Sequence, residues 1–369
     1  MKRTIIVVVM LCLMLLLSVS GCGGTRSSDR DSDSPSYSEL SSGRPNASNI
    51  VNVFNWGLYI DESIFDDFRT QTGIKVNYTE FQSNEEMYSI LKSGGANYDV
   101  IIPSDYMISR MIDEDMLEEL NFSNIPNYKL IDDIYKNLEY DPDGLYSVAY
   151  MTGTVGIIYN SEMITDDIIS WSSLFDSQYK GQILMFNNPR DAFGIALKYL
   201  GYSQNTTNEN EIREAYELLL EQKPILQAYV MDQIFDKLEA SEAAIGPYYA
   251  GDFLIMKENN PSLEFVRPVE GSNWFIDAMC IPKGSKNKLN AELFIDFVSR
   301  TDMALKNMEY VQYASANFEA AEIFGADLDA DDLEIMFASR ETREKCDIFT
   351  NLPQETLALY DQLWVELKR

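Results

Sequence analysis

The chain contains no histidine among its 369 residues. That removes histidine acid–base catalysis, Ser-His-Asp and Cys-His triads, and zinc sites with imidazole ligands. Cysteine is scarce as well, with four in all, and Cys12 and Cys22 of these fall in the N-terminal segment. Cys280 and Cys346 are too few for a disulfide framework or a four-thiolate metal site. They could pair outside the cell, or Cys280 could be a small buried hydrophobe in a strand. Positive charge is thin: Lys+Arg total 29 against 59 Asp+Glu, a formal net charge of -30. Nucleic acid, which needs a basic surface, is excluded as a partner. An acidic field steers cationic ligands, although acidic surfaces also simply keep proteins soluble. The longest apolar run, Ile5 to Leu17, is too short for a comfortable membrane span. There is no internal repeat of short period.

What is present is a globular composition, 46% hydrophobic, with length for one large or two ordinary domains. The N-terminus is a targeting segment, 1–22. Lys2 and Arg3 precede the apolar run, which ends in Val19-Ser20-Gly21-Cys22. This resembles the bacterial lipobox, in which the cysteine is diacylated and becomes the new N-terminus. Cys22 is therefore the expected lipidation site, holding the chain to the outer face of a membrane by lipid. Residues 23–49, rich in Ser, Asp, Gly, Arg and Pro, cannot form a core and read as a flexible tether.

Beyond the tether, strand and helix signals alternate. Val51–Trp56, Ile74–Tyr78 and Tyr98–Pro103 read as strands. Helical patterns follow each, with Ser104 and Asp105 as a candidate cap for a helix from Tyr106 to Met116. This rhythm predicts an α/β fold with a parallel sheet, whose ligands bind beyond the carboxyl ends of strands. Trp56, Tyr59, Ser104 and Tyr106 fall there. Gly144–Tyr150 and Thr154–Tyr159 read as two strands joined through residues 151–153. Asn188 to Asp191 opens a helix running to Leu200, and Glu209–Gln222 is a long amphipathic helix.

The stretch Gly271–Pro282 reads as a buried strand with one carboxylate in it, Asp277. A charge there is costly unless paired. An ordinary salt bridge to Lys or Arg satisfies that demand. So does a ligand cation lying beside Trp274 and Phe275, the acid taking the charge of an alkyl ammonium and the rings its methylenes.

The pattern resembles the polyamine-binding proteins of bacterial ATP-driven importers, the spermidine/putrescine-binding family, in lipoprotein form. The matching segments are Asn55–Tyr59, Thr72–Val76, Ser83–Tyr88, Tyr98–Ser104, Arg190-Asp191 with Ala196–Ser203, Tyr249–Asp252, and Trp274–Asp277 with Ile281-Pro282. The resemblance implies a two-lobed type II periplasmic-binding-protein fold, α/β, with the ligand cleft between lobes. Lobe one would be 51–153 plus 277–321, and lobe two 154–276 plus 322–369. It implies an aromatic box of Trp56, Tyr59, Tyr106, Tyr249, Phe275 and Tyr313, with Ser104 adding a hydroxyl. Asp277 would be the central ammonium-binding acid. Asp191 would take a terminal amine. Asp252 matches an acid of putrescine-preferring members. Asn188 stands where some spermidine binders carry an acid, and Tyr248 competes with Tyr249 for one wall. Putrescine and spermidine both remain open.

The implied partners are a polyamine, a membrane-embedded ABC permease and the membrane itself through the lipid anchor. A monomer, no cofactor, no metal and no catalysis are expected. Rival readings are another solute, such as a sugar or another amine, on the same fold, a surface hydrolase using paired carboxylates, and a lipoprotein without a ligand. Asp327 to Asp332 resembles a calcium loop, but Asp332 stands where the glycine is required and Ala338 where the bidentate acid should be.

Overall fold

The computed structural model describes residues 48–94 and 97–369. The targeting segment, Cys22 and nearly all of the tether lie outside the described residues.

In chain order the elements are β1 (Ile50–Trp56), α1 (Ser63–Thr72), β2 (Lys75–Phe81), α2 (Asn84–Lys92), β3 (Val100–Ile101), α3 (Asp105–Asp113), β4 (Ser147–Asn160), β5 (Ile183–Phe186), α4 (Pro189–Tyr199), α5 (Glu209–Gln222), β6 (Leu226–Val230), α6 (Gln233–Glu239), β7 (Ile245–Tyr249), α7 (Ala250–Asn259), β8 (Leu263–Val266), β9 (Trp274–Cys280), α8 (Lys288–Val298), α9 (Thr301–Val311), β10 (Ala314–Ser315), α10 (Phe318–Gly325), α11 (Ala330–Met336), α12 (Arg340–Arg343) and α13 (Gln354–Lys368).

The sheet runs β2-β1-β3-β9-β4-β7-β5-β6, with β8 and β10 also paired to β4. It is mixed, which corrects the all-parallel expectation. β1 pairs parallel with β2 and β3, and β5 with β6 and β7, but β4 and β9 run antiparallel to their neighbours. The alternation of strand and helix is local to each end of the sheet, β2-β1-β3 and β7-β5-β6, and the middle is built by the long returns β9 and β4 instead. β4 is a second correction. It is one strand of 14 residues, where a break at 151–153 was expected. Thr152-Gly153-Thr154 stays extended because β9 pairs with all three residues, and β10 pairs with Thr152 on the other side. Between α5 and β8 the structure adds β6, α6 and α7, none of which the sequence reading anticipated.

Two large hydrophobic cores result among the described residues, consistent with a two-lobed fold, with a small third cluster around Met308 and Met336. The first gathers Val51, Val53 and Phe54 of β1 with Ile64 and Phe68 of α1, Phe294 of α8 and Val148–Met151 of β4. The second gathers Leu184 and Phe186 of β5 with Phe193 of α4, Leu219 of α5, Leu363 of α13 and Val155, Ile157 and Ile158 of β4. β4 thus lends its first half to one core and its second half to the other. Its nearly unbroken burial is what an interior strand covered on both faces requires.

Helix ends show the local chemistry behind these elements. Asn188 caps α4, its Oδ1 accepting from the Arg190 backbone N–H at 2.9 Å, and Pro189 follows where no donor is needed. Ser83 caps α2 in the same way. Ser104 precedes α3, but its side chain makes no capping bond. Its hydroxyl and the Asp105 carboxylate are both engaged elsewhere.

Candidate functional site

β9 sets the site. Side chains alternate across a strand, so Phe275 and Asp277 share one face and Trp274 takes the other. The indole of Trp274 donates to Thr152 Oγ1 at 2.8 Å and lies near Tyr135, so it is no wall beside Phe275. Phe275 stands opposite Gly153 in the β4–β9 register. A methyl group at Gly153 would sit 2.8 Å from Phe275 Cζ, so only glycine lets the ring lie flat there.

β10 places Ala314 opposite Thr152, which delivers Tyr313 to the same spot. The rings then form a row. Tyr249 lies 5.5 Å from Phe275, Phe275 lies 5.9 Å from Tyr313, and Tyr313 lies 5.6 Å from Tyr59. Gly251 makes room for Tyr313, since a Cβ there would meet its Cδ2 at 2.5 Å. Tyr248 faces away, its hydroxyl bonded to Asp232, so Tyr249 is the member of the pair that joins the row.

Each of three acids, two of them buried (Asp277, Asp191) and one half-buried (Asp252), takes a hydroxyl from this row. Tyr59 Oη donates to Asp277 Oδ2 at 2.7 Å, Tyr313 Oη to Asp252 Oδ2 at 2.7 Å, and Tyr249 Oη to Asp191 Oδ2 at 3.2 Å. Asp252 and Asp191 lie in the first turns of α7 and α4, where the helix dipole favours an anion. None of the three is in an ion pair among the described residues, so the ordinary salt bridge considered for Asp277 is not formed. Its Oδ1 is buried and completes no hydrogen bond among the described residues.

Burial dominates the electrostatics. It pushes Asp277 up to about 6, although the Tyr59 and Ser104 hydroxyls hold it down. It pushes Asp191 up to about 6, opposed by Tyr249 and Arg190 and aided by Glu85. It pushes Asp252 up to about 7, opposed by Tyr313 and aided by Asp232. The same burial raises the hydroxyls of Tyr59, Tyr249 and Tyr313, so all three stay protonated donors at neutral pH. Carboxylates in such surroundings, lined by rings, suit positive charge.

The other expected residues lie around this centre in different ways. Ser104 forms a backbone bridge with Asp277, and its hydroxyl accepts from Asn84 Nδ2 at 3.1 Å. The same amide reaches Tyr106 Oη at 3.1 Å, and Tyr106 donates to Glu85 at 2.9 Å. Tyr106 lies 6.3 Å from Phe349, away from the main row. Trp56 packs on Phe81 at 4.6 Å, and its indole N–H is buried without a partner among the described residues. Asn188 donates to Asp191 Oδ2 at 2.8 Å. Its amide is spent on orienting that acid and capping α4, which leaves it little to offer an amine.

Sequence reasoning missed Asp105, Asn84, Glu85 and Phe349. Asp105 is fully buried and accepts from the Ile276 N–H at 3.1 Å, tying α3 to β9. Burial raises its pKa well above the usual carboxylate range, against backbone hydrogen bonds and the nearby Arg190. In sequence it follows Pro103-Ser104 and reads as a helix cap, which hides the buried acid. Arg190 is itself buried and lies 4.5 Å over the Phe349 ring.

A two-lobed α/β chain with a buried acidic, ring-lined centre on its connecting strands is a solute-binding protein. The sequence profile of the bacterial extracellular solute-binding proteins matches residues 63–334, and the chain belongs to that family. This is a solute-binding family, not an enzyme family. The chain is 31% identical over 332 residues to the spermidine/putrescine-binding periplasmic protein of Salmonella typhimurium, spanning 89% of this chain and 94% of that one. It is 26% identical over 298 residues to the putrescine-binding periplasmic protein PotF of Escherichia coli, spanning 75% and 80%. Among solved structures, the spermidine/putrescine ABC transporter substrate-binding protein PotD of Streptococcus pneumoniae superposes with a TM-score of 0.77 at 34% identity, covering 87% of this chain and 99% of that one. The TpPotD lipoprotein of Treponema pallidum gives 0.75 at 25% identity, covering 86% and 99%. No helix among the described residues is long and apolar enough to cross a membrane.

Proposed function

We propose that this chain captures putrescine, spermidine or both outside the cytoplasm and hands them to an ABC importer. The observation that carries this reading is the set Asp277, Asp252 and Asp191. Asp277 and Asp191 are buried and Asp252 is half-buried, all hold a tyrosine hydroxyl, and none is ion-paired among the described residues. Such a set is costly by itself and is relieved by a ligand that brings several ammonium groups spaced by methylenes. The rings of Tyr249, Phe275, Tyr313 and Tyr59 grip the methylenes at little entropic cost. A sulfate site would want donors without carboxylates. The two curated relatives named above, one a spermidine/putrescine binder and one a putrescine binder, support the same ligand class.

In this reading Trp56, Ser104 and Tyr106 complete the cleft, and Asn188 acts through Asp191. Lobe one is 51–153 plus 277–321 and lobe two is 154–276 plus 322–369, closing on the ligand by hinge motion. Diacylated Cys22 tethers a monomer to the membrane, where the permease sits. The likeness to a lipoprotein supports the anchor. A thermal-shift panel tests the ligand class, using putrescine, spermidine, a neutral sugar and sulfate on a chain beginning at Gly23. Stabilisation by the amines alone is expected. Stabilisation by the sugar or sulfate, with none from either amine, would overturn the reading.

A further inference from the structure

The loop that carries Trp56 and Tyr59 out of β1 is held at its backbone by three side chains from three distant elements. Tyr78 of β2 donates to the Trp56 carbonyl at 3.0 Å. Tyr150 of β4 donates to the Tyr59 carbonyl at 2.7 Å. Asn307 of α9 accepts the Asp61 N–H at 2.9 Å. Tyr150 and Asn307 are buried, and the Tyr150 ring also meets the Tyr59 ring edge-on at 5.7 Å.

The loop needs such holding. Leu58 has a φ of 54°, a left-handed conformation that a branched side chain disfavours, and its side chain is 78% exposed, so packing does not fix it. Yet the turn at Gly57 and Leu58 decides where Tyr59 Oη goes, and that hydroxyl lies 2.7 Å from Asp277. A shift of about 1 Å at the turn breaks the bond, because hydrogen-bond geometry tolerates little more.

We propose that Tyr150 and Asn307, with Tyr78, are positioning residues. They hold a strained loop so that Tyr59 meets Asp277 before ligand arrives, which lowers the ordering cost of binding. They touch the recognition centre through the loop backbone. The affinity arm of this proposal rests on the polyamine reading, and the loop-order arm does not.

The test compares Tyr150→Phe and Asn307→Ala with Tyr140→Phe. Tyr140 lies in the same core and is as buried as Tyr150, but it is not bonded to the loop. Hydrogen exchange of peptides covering residues 56–62 is measured without ligand, then calorimetric affinity for putrescine and spermidine. The expected result is faster exchange in that loop for Tyr150→Phe and Asn307→Ala, with affinity lowered about tenfold, as loss of one preorganised charge-assisted contact implies. Tyr140→Phe should leave both unchanged at a similar melting temperature. Loop exchange equal to that of Tyr140→Phe overturns the proposal whether or not amines bind. Faster exchange with unaltered affinity overturns the positioning role. If the wild-type chain binds neither amine, the polyamine reading fails, and the exchange result still decides whether these residues hold the loop.

Discussion

The Tyr313 hydroxyl lies 2.7 Å from Asp252, and the two arrive from opposite sides of a glycine contact: a side chain at Gly251 would occupy the space of the Tyr313 ring. Burial holds Asp252 up to about 7, while Asp277 and Asp191 stand at about 6. An ammonium needs these acids ionised, so protons compete with the ligand. Affinity should be greatest near pH 8 and fall as pH drops through 7 and then 6. Each acid that must lose a proton costs up to tenfold per pH unit below its pKa. Isothermal titration at pH 8, 7, 6 and 5.5 checks this. A flat profile would mean the three acids are not in the ligand's contact.

Unliganded stability should run the other way. An acid whose pKa is raised on folding binds more protons folded than unfolded. Its stabilising contribution is complete below the unfolded value, about 4, and is lost as pH rises through the folded value, about 6 to 7. These three acids therefore favour the unliganded fold at pH 5 over pH 8. Saturating amine should shrink that difference, since the ligand supplies the missing counter-charge. Melting curves across this range, with and without amine, measure both effects.

Substituting Asp277→Asn keeps the shape and removes the charge. Binding should weaken by roughly 2 to 3 kcal/mol, about 30- to 150-fold, the worth of a hydrogen bond to a charged group in a desolvated site. The unliganded melting temperature should hold or rise, because an unpaired buried carboxylate is gone. A large drop in unliganded stability would point to a structural role.

Gly251→Ala tests the packing of the row. The added Cβ would lie 2.6 Å from the Gln312 carbonyl oxygen, and backbone cannot swing aside. A cost of about 1 to 3 kcal/mol in stability is expected, with Tyr313 displaced and affinity lost beyond that of a Gly201→Ala control on the surface. Gly201 has a positive φ but open space around it, so it strains the chain without touching the site.

Much of this arrangement was legible in the sequence. A lone acid in the apolar run of β9 flagged Asp277, and period-two alternation with β4 explains why Phe275 joins it and Trp274 does not. The antiparallel middle of the sheet was not legible. Pairing between β4, β9 and β10 joins residues more than a hundred apart, and no local pattern reports it. The single long β4 hid behind Thr152 and Gly153, which look like a break until neighbouring strands are in place. Asn188 aligns with an amine-contacting position in the sequence, and only the capping geometry shows its amide already spent.

The net charge of -30 and the acidic centre predict one further dependence. Raising ionic strength from about 0.01 to 0.5 M should weaken amine binding severalfold, as screening shortens the reach of the acidic field.

The most direct test of the central claim is calorimetric titration of putrescine and spermidine into the chain from Gly23, at pH 8 and low salt. Saturable one-to-one binding of at least one amine, abolished or severely weakened in Asp277→Asn, is the predicted result. No binding heat and no thermal stabilisation with either amine would contradict it, leaving a solute-binding protein for another solute.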